Sequence, residues 1–144
     1  MDYLSLKGIP SKRIVKDICG LYRDVFNEDR QLNERMADKP NVDVQLAYEN
    51  GTLIGFKIGY EQSPTTFYSW LGGVRSTSQG KGVALQLMRN QHAKAKEAGY
   101  KIVETKTMNR WRKMLLLNIR FGFNVTAVEE SQTGDGKIIL QKAL

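Results

Sequence analysis

The chain has 144 residues, of which 41% are hydrophobic and 26% charged, a balance typical of a globular protein rather than a disordered one. No apolar run is long enough to cross a bilayer, and the first residues lack the pattern of a signal peptide. The single cysteine, Cys19, excludes an internal disulfide and any multi-cysteine metal site. We therefore expect one cytosolic domain over residues 1–144. The formal net charge of +7 favours an anionic partner, and the scattered basic residues favour a small polyanion over nucleic acid.

The first part of the chain predicts an edge strand, a helix and a hairpin. Residues 2–6 predict the edge strand, and Ser11 is placed to cap a helix over residues 12–26, where apolar residues recur with helical spacing. Residues 27–41 are polar and give a weak signal for a short second helix. Alternating apolar residues then predict two strands joined by Asn50-Gly51, a pair that suits a type I′ turn because both positions need positive φ.

The rest of the chain alternates strands with helices. In order, the predicted elements are an apolar and hence central strand at 66–74, a helix at 82–98 ended by Gly99, a strand at 101–107, a helix capped by Asn109 and closed at Gly122, and two antiparallel strands at 123–128 and 137–142 around a turn at 133–136. This order predicts a mixed α/β fold in which helices cover one sheet.

The most informative stretch lies between the central strand and the long helix. Its sequence is Leu71-Gly72-Gly73-Val74-Arg75-Ser76-Thr77-Ser78-Gln79-Gly80-Lys81-Gly82-Val83-Ala84. The first amides of a helix lack intrahelical partners and lie at the positive end of its dipole, so they bind phosphate where backbone can approach closely. Gly80 and Gly82 permit that approach, and Lys81 adds positive charge. The loop is neither a Walker A loop, because Gly82 follows Lys81, nor a G-x-G-x-x-G dinucleotide fingerprint. Taken alone, it could also be an ordinary glycine-containing helix start.

The context of this loop resembles the GNAT superfamily of N-acetyltransferases. Gln79, Gly82 and Ala84 fit its motif A, which is Arg or Gln, two residues, Gly, one residue, then Gly or Ala. Residues 71–74 are similar to its central strand, and residues 114–123, with their closing Gly-Phe, to its motif B. The resemblance implies a central, mostly antiparallel mixed sheet with splayed fourth and fifth strands. It also implies acetyl transfer from acetyl-CoA to an amine acceptor, with no metal.

The resemblance also implies which residues hold coenzyme A. The pyrophosphate would lie on the amides of residues 79–84, and the pantetheine would enter between the splayed strands. An amide near Gly73 or Val74 would polarise the thioester carbonyl. The implied cofactor-binding residues are Gly72, Val74, Gln79, Gly80, Lys81, Gly82, Val83, Ala84, Asn109 and Arg112. A basic cluster, consisting of Lys106, Arg110, Arg112 and Lys113, would either contact phosphates or form a solvated helix start.

The resemblance implies direct attack by the amine, and it leaves the proton-transfer groups open. Many relatives carry a motif B tyrosine as general acid, but that position is Asn118 here, which can hydrogen-bond a thiolate and cannot protonate it. The position of the base found in some relatives is Tyr68, whose phenol would need a perturbing neighbour. Glu61 and Glu104 on flanking strands are the acidic candidates, each either a base or a solvated strand residue.

Other residues have simpler interpretations. His92 is predicted to face solvent from the middle of the long helix, and Cys19 to be a small core residue. Trp111 is either a core or rim residue or a wall of the acceptor pocket. The acceptor itself, a small-molecule or peptide amine, is not identified by the sequence. The edge left by the closing strands predicts a homodimer.

Two alternatives to an enzyme remain. A non-catalytic acyl-CoA-binding module would account for the missing motif B tyrosine. A nucleic-acid-binding domain rests on charge alone, since the sequence lacks both an aromatic and basic stripe and a helix-turn-helix signal.

Overall fold

The computed structural model describes residues 1–29, 31–132 and 136–144, which form a mixed sheet flanked by helices. The elements are β1 (Asp2–Lys7), α1 (Lys12–Phe26), α2 (Leu32–Met36), β2 (Asp43–Glu49), β3 (Thr52–Glu61), β4 (Thr66–Val74), a 3₁₀ turn (Ser76–Ser78), α3 (Val83–Glu97), β5 (Ile102–Met108), α4 (Arg112–Arg120), β6 (Asn124–Glu129) and β7 (Lys137–Ala143). The predicted order of strands and helices is confirmed. The turn predicted at 133–136 lies mostly outside the described residues.

Local sequence signals account for the early elements. The Ser11 Oγ accepts a hydrogen bond from the Ile14 amide (3.4 Å) and caps α1 as predicted. Asn50 and Gly51 adopt φ of 51° and 76°, as a type I′ turn requires, and join β2 to β3. Gly99 and Gly122 take φ of 99° and 103° just after α3 and α4, where a left-handed residue ends a helix.

The predicted cap of α4 is wrong. Trp111, and not Asn109, precedes the first helical residue, and no side chain caps the helix. The Trp111 amide donates to the Met108 carbonyl (3.0 Å), so the chain makes a turn over residues 108–111 before α4 begins.

The strands lie in the order β1-β2-β3-β4-β5-β7-β6, and only the β4–β5 pair is parallel. The position of β4 at the centre of this sheet is as predicted. Helices α1 and α2 pack on one side of it, which we call the α1 face, and α3 and α4 pack on the other, the α3 face. Within the described ranges, no helix combines the length and apolarity needed to span a bilayer.

The two central strands diverge as predicted. β4 pairs with β5 through residues 66–69 and 102–105 alone, after which the end of β4 pairs only with β3 and the end of β5 only with β7. A bulge in the β3–β4 register lies at this point, since Gly59 pairs with Ser69 and Ile58 with Leu71. A bulge bends its strand locally. The result is a cleft between the ends of β4 and β5, which we call the splay.

Candidate functional site

The loop that enters α3 has the geometry of an anion site. Gly80 and Gly82 both adopt φ of 80°, and a Cβ at either would meet no atom within 4 Å, so the loop faces open space. In the described chain, none of the amides of residues 80–85 donates to a backbone carbonyl, and the first turn of α3 carries no acidic residue. The Gln79 amide group donates to the Val74 carbonyl (3.1 Å), which ties the loop to the end of β4. Free amides at a helix N-terminus therefore lie beside the splay.

The splay has backbone walls. Gly72, Gly73 and Val74 pair with β3 on one side only, so backbone groups that a neighbouring strand would satisfy are directed into the cleft. On the opposite wall, residues 106–108 of β5 pair with β7. An extended amide-containing ligand could occupy this gap as an additional strand.

Helix α4 contributes one deeply buried polar side chain to the α3 face. Asn118 is 2% exposed and is the buried residue of this helix, while the apolar side chains of the helix are partly buried or exposed. Its carbonyl accepts a hydrogen bond from the Phe123 amide (3.0 Å), which fixes the last turn. The predicted ligands Asn109 and Arg112 are exposed at the other end of α4.

The members of the predicted basic cluster have different surroundings. The Lys106 Nζ lies 3.6 Å from a carboxylate oxygen of Glu129 on β6, and Arg110 lies over the ring of Trp111 at 5.0 Å. Arg112 and Lys113 at the start of α4 are exposed, as is Arg110. Lys81 on the glycine loop is also exposed.

The structure brings two of the catalytic candidates together where β4 and β5 are still paired, just before they diverge. We call this end of the cleft the base of the splay. Tyr68 and Glu104 are partners in the parallel register of β4 and β5, so their side chains project on the same face. Glu104 is 9% exposed, and its two oxygens accept hydrogen bonds from Gln62 (2.7 Å) and Gln141 (2.8 Å). The alternative that Glu104 is a solvated strand residue is therefore wrong, because two glutamines and the sheet cover it.

Glu61 has a separate structural role. Its Oε1 accepts hydrogen bonds from the Tyr100 hydroxyl (2.9 Å) and from Asn41 (3.3 Å), which joins β3 to the segments before β2 and β5. Burial, followed by the bond to and the charge of Glu61, raises the pKa of Tyr100 to about 12. Glu61 is thus engaged away from the diverging ends of the strands.

Aromatic side chains line the α1 face near the splay. Tyr60 contacts Tyr68 and Trp70 through edge-to-face rings at 5.4 and 5.7 Å, and the Lys39 ammonium lies over Tyr60 at 5.1 Å. Such a surface accepts a flat or apolar group beside a polar one. Its position near the base of the splay makes it the candidate acceptor surface.

Trp111 closes the open end of the splay on this same face. A Cβ at Gly73 of β4 would lie 3.2 Å from the Phe26 ring, and Phe26 meets Trp111, just beyond β5, at 5.7 Å between centroids. The two rings therefore bridge the diverging strands. At 43% exposure Trp111 is a rim residue, in agreement with the simpler of its two interpretations.

His92 was expected to face solvent, and this prediction is wrong. The side chain is 5% exposed, lies between the rings of Phe121 and Phe123 (5.4 and 5.5 Å), and has its Nδ1 3.4 Å from the Lys142 ammonium. Burial and the nearby charges of Lys142 and Lys57 lower its pKa to about 3. Polar neighbours in sequence obscured the fact that His92 is buried, as Gln91 beside it is. Cys19 is partly buried against the α1-face core, as predicted.

Lys57 on β3 is a further buried polar group that the sequence did not reveal. It is 7% exposed on the α3 face, and burial lowers its pKa to about 8. Alternation along β3 is typical of a half-buried strand and predicts that Lys57 faces water. The strand is in fact covered on both faces, because α3 packs over it. A local sequence pattern does not carry that information.

Comparisons with known proteins give a consistent result. The profile described as the acetyltransferase (GNAT) family matches residues 13–115. A GNAT family acetyltransferase from Elizabethkingia anophelis with acetyl-CoA bound superposes with a TM-score of 0.78 at 19% identity, over 99% of this chain and 98% of that one. The ribosomal-protein-S18-alanine N-acetyltransferase of Escherichia coli has a TM-score of 0.80 at 11% identity, over 97% and 94%.

The aminoglycoside 6'-N-acetyltransferase of Enterococcus faecium also has a TM-score of 0.80, at 12% identity over 97% of this chain and 96% of that one. No curated protein matches the sequence. At these identities the structural likenesses establish the fold and leave the acceptor open.

Proposed function

Since the chain belongs to the GNAT acetyltransferase family, we propose that it transfers the acetyl group of acetyl-CoA to a primary amine of a small molecule or peptide. The observation that carries this proposal is the juxtaposition of the glycine loop at the start of α3 with the splay. The loop supplies amides for a pyrophosphate and the splay accepts an extended amide chain. Acetyl-CoA, the co-substrate, contains both groups. Residues 1–144 would then form one catalytic domain, located in the cytosol.

The cofactor is proposed to run from the loop to the base of the splay. The amides of residues 80–84 bind the pyrophosphate, with Gln79 holding the loop and Lys81 adding charge. Gly72 and Val74 bind the pantetheine amides with their backbone, and an amide near Gly73 or Val74 polarises the thioester carbonyl. Asn109 and Arg112, exposed at the start of α4, reach the outer part of the cofactor.

The acceptor amine is proposed to attack the thioester directly, within a ternary complex. Neither candidate for a covalent intermediate suits the role, because Cys19 of α1 packs against the core of the α1 face and His92 is enclosed by Phe121 and Phe123. Proton removal from the ammonium proceeds through water and either Tyr68 or the carboxylate of Glu104, its partner in the β4–β5 register. Asn118 hydrogen-bonds the thiolate as charge develops on sulfur.

The acceptor is proposed to enter from the α1 face. Two of the structural neighbours are named for different amine acceptors, a ribosomal-protein alanine and an aminoglycoside. In this chain the aromatic surface carries cations, with Lys39 and Arg35 each 5.7 Å from the centre of the Trp70 ring. Like charges repel, so this surface favours an amine whose other groups are neutral or anionic over a polycation. A panel of acceptors that differ in charge, with released coenzyme A thiol as the readout, tests this preference.

The decisive test of cofactor binding is Gly82→Asp. The substitution places negative charge where the pyrophosphate is proposed to bind, and it strains a residue with φ of 80°. We expect acetyl-CoA binding, measured by calorimetry, to be abolished. Gly51→Asp is the matched control, since Gly51 has φ of 76° and equally open surroundings in the β2–β3 turn. Equal affinity of the Gly82→Asp variant and the parent would end the assignment.

The second candidate function is a non-catalytic acyl-CoA-binding module. Asn118 in place of a proton-donating tyrosine is the observation that favours it. Product formation with any acceptor of the panel excludes it. Initial-rate kinetics then test the mechanism, because intersecting lines support a ternary complex, whereas parallel lines with a trapped acetyl-enzyme would refute direct attack.

A further inference from the structure

Lys57 is a buried cation, and the mechanism proposed above gives it no role. Among the residues that the structure describes, the ion pairs join Lys94 to Glu97 and Lys106 to Glu129, so Lys57 has no carboxylate partner there. An uncompensated buried charge destabilises a fold. Buried ionisable groups of this kind in a cleft are candidates for function.

The direction of the side chain follows from its neighbours. In the sheet Lys57 lies between Gln45 of β2 and Gly72 of β4. The Gln45 Oε1 is buried without a hydrogen-bond partner, so the ammonium does not turn toward β2. A Cβ on Gly72 would lie 3.4 Å from the Lys57 Cγ and 3.7 Å from its Nζ. The side chain therefore lies across Gly72, toward β4.

Beyond Gly72 there is no further strand, because β5 has already separated from β4. The ammonium of Lys57 thus lies over Gly72 of the last paired strand, at the wall of the splay. Gly72 leaves the space for it, since any side chain there would contact both the stem and the ammonium of Lys57. Asn118 is buried on the same α3 face of the sheet.

We propose that Lys57 is the proton donor to the coenzyme A thiolate, a role that rests on the proposed acetyltransferase function and takes the place of the missing motif B tyrosine. The acceptor nitrogen forms its bond to the thioester carbonyl carbon, and collapse of the tetrahedral adduct breaks the carbon–sulfur bond. The electron pair passes to sulfur, and one proton moves from the Lys57 ammonium to it. The attacking nitrogen, which carries an extra proton once its bond has formed, releases that proton to water, and the neutral lysine takes up one proton from water. Asn118 hydrogen-bonds the sulfur and holds it for this transfer.

The charges on the α3 face are compatible with this role. His92 of α3 is neutral at working pH, and Lys142 of β7 is a cation beside it. On β2, Asp43 lies two residues from Gln45, which donates to its carboxyl, and Lys94 of α3 acts on it electrostatically. Burial lowers the pKa of Lys57 to about 8. The group is therefore mostly protonated at pH 7 and close in acidity to a thiol, whose reference pKa is ~8.5.

The test compares Lys57→Met with the parent across pH 6.5 to 9.5 by release of free thiol. Loss of a general acid should lower kcat on the order of a hundredfold, with the KM for acetyl-CoA within about twofold because binding groups are untouched. In the parent, kcat should fall as pH rises above about 8, and this limb should be absent in the variant. Lys96→Met removes an exposed lysine of α3 and should leave both parameters unchanged.

Two further variants separate proton donation from structure and from charge. Replacing a buried cation with an apolar chain of similar length is often neutral or stabilising, so the thermal midpoint of Lys57→Met should equal or exceed that of the parent. Lys57→Gln serves as a second neutral variant. Lys57→Arg keeps the charge but does not release its proton, so it should also have a low kcat without an alkaline limb.

A Lys57→Met enzyme that retains kcat within threefold together with the alkaline limb would overturn the role of Lys57 and leave the proposed function intact. A parent that binds acetyl-CoA and releases no thiol with any acceptor would instead contradict the proposed function, and this role with it.

Discussion

Acidification should destabilise this protein through His92, the only histidine in the chain. The enclosed imidazole has a pKa of about 3 in the folded state, because burial, Lys142 and Lys57 all disfavour its charged form. In the unfolded chain it returns to the reference value of ~6.5. The folded pKa is therefore the lower one, so the stability that neutral His92 contributes is present above pH 6.5 and is lost progressively as pH falls toward 3.

The size of the effect follows from these two values. Between pH 7 and pH 5 the unfolded chain takes up most of one proton at this site and the folded chain almost none. Integration of the proton linkage over that interval gives a loss of about 2 kcal/mol in the free energy of unfolding. For a domain of this size that is a substantial part of a typical ~5–15 kcal/mol.

Asp43 titrates in the same interval with the opposite sign. Burial raises the pKa of Asp43 to about 6, which exceeds its unfolded value, so protonation of Asp43 as pH falls stabilises the fold and offsets part of the His92 effect. The pH dependence of the parent's stability therefore combines the effects of His92 and Asp43. His92→Gln removes the imidazole and keeps Asp43, so the difference between the two proteins isolates His92.

The assay is urea unfolding of the parent and His92→Gln at pH 5, 6 and 7, with stabilities taken from linear extrapolation. The parent should lose about 2 kcal/mol more than the variant between pH 7 and pH 5. The comparison uses only the change in the free energy of unfolding with pH. The buried glutamine shifts that free energy by the same amount at every pH, because it does not titrate. Equal pH dependences of the two stabilities would refute the reasoning. They would mean that His92 takes up its proton at the same pH in the folded and the unfolded chain.

Three further predictions concern catalysis, binding and assembly. Asn118→Ala should lower turnover on the order of ten- to a hundredfold through loss of one hydrogen bond to developing charge, and Tyr68→Phe should slow the reaction most below the pKa of the acceptor amine. Steady-state rates check both, and unchanged rates would remove these residues from the mechanism. If Lys81 and Arg112 contact phosphates, acetyl-CoA affinity measured by calorimetry should fall as salt rises, and dephospho-coenzyme A should bind less well; salt-independent binding would contradict this. The edge strand β6 exposes Val125 and Val128 at 50% and 61%, which favours pairing into a homodimer. A light-scattering mass near 16.4 kDa would exclude the dimer.

Local sequence was sufficient wherever the determining interactions lie within a few residues. The Ser11 cap, the Asn50-Gly51 turn and the left-handed Gly82 before α3 each depend on the conformational preference of one or two residues. The glycine loop could therefore be placed at the start of α3 from its pattern. The prediction that Asn109 caps α4 was wrong for a related reason. The turn from Met108 to Trp111 is held by a backbone hydrogen bond, and no side chain in the segment marks it.

Tertiary structure decided which polar residues are buried, and hence much of the chemistry of the site. The alternation of apolar and polar residues along β3 predicts that Lys57 is exposed, and the polar neighbours of His92 predict the same for that residue. Instead, α3 covers Lys57 and two phenylalanines enclose His92. The pairing of Tyr68 with Glu104 likewise depends on the register of two strands that are distant in sequence. Burial and register are properties of the whole sheet, because they arise when segments far apart in the chain pack together, so no local pattern of residues encodes them.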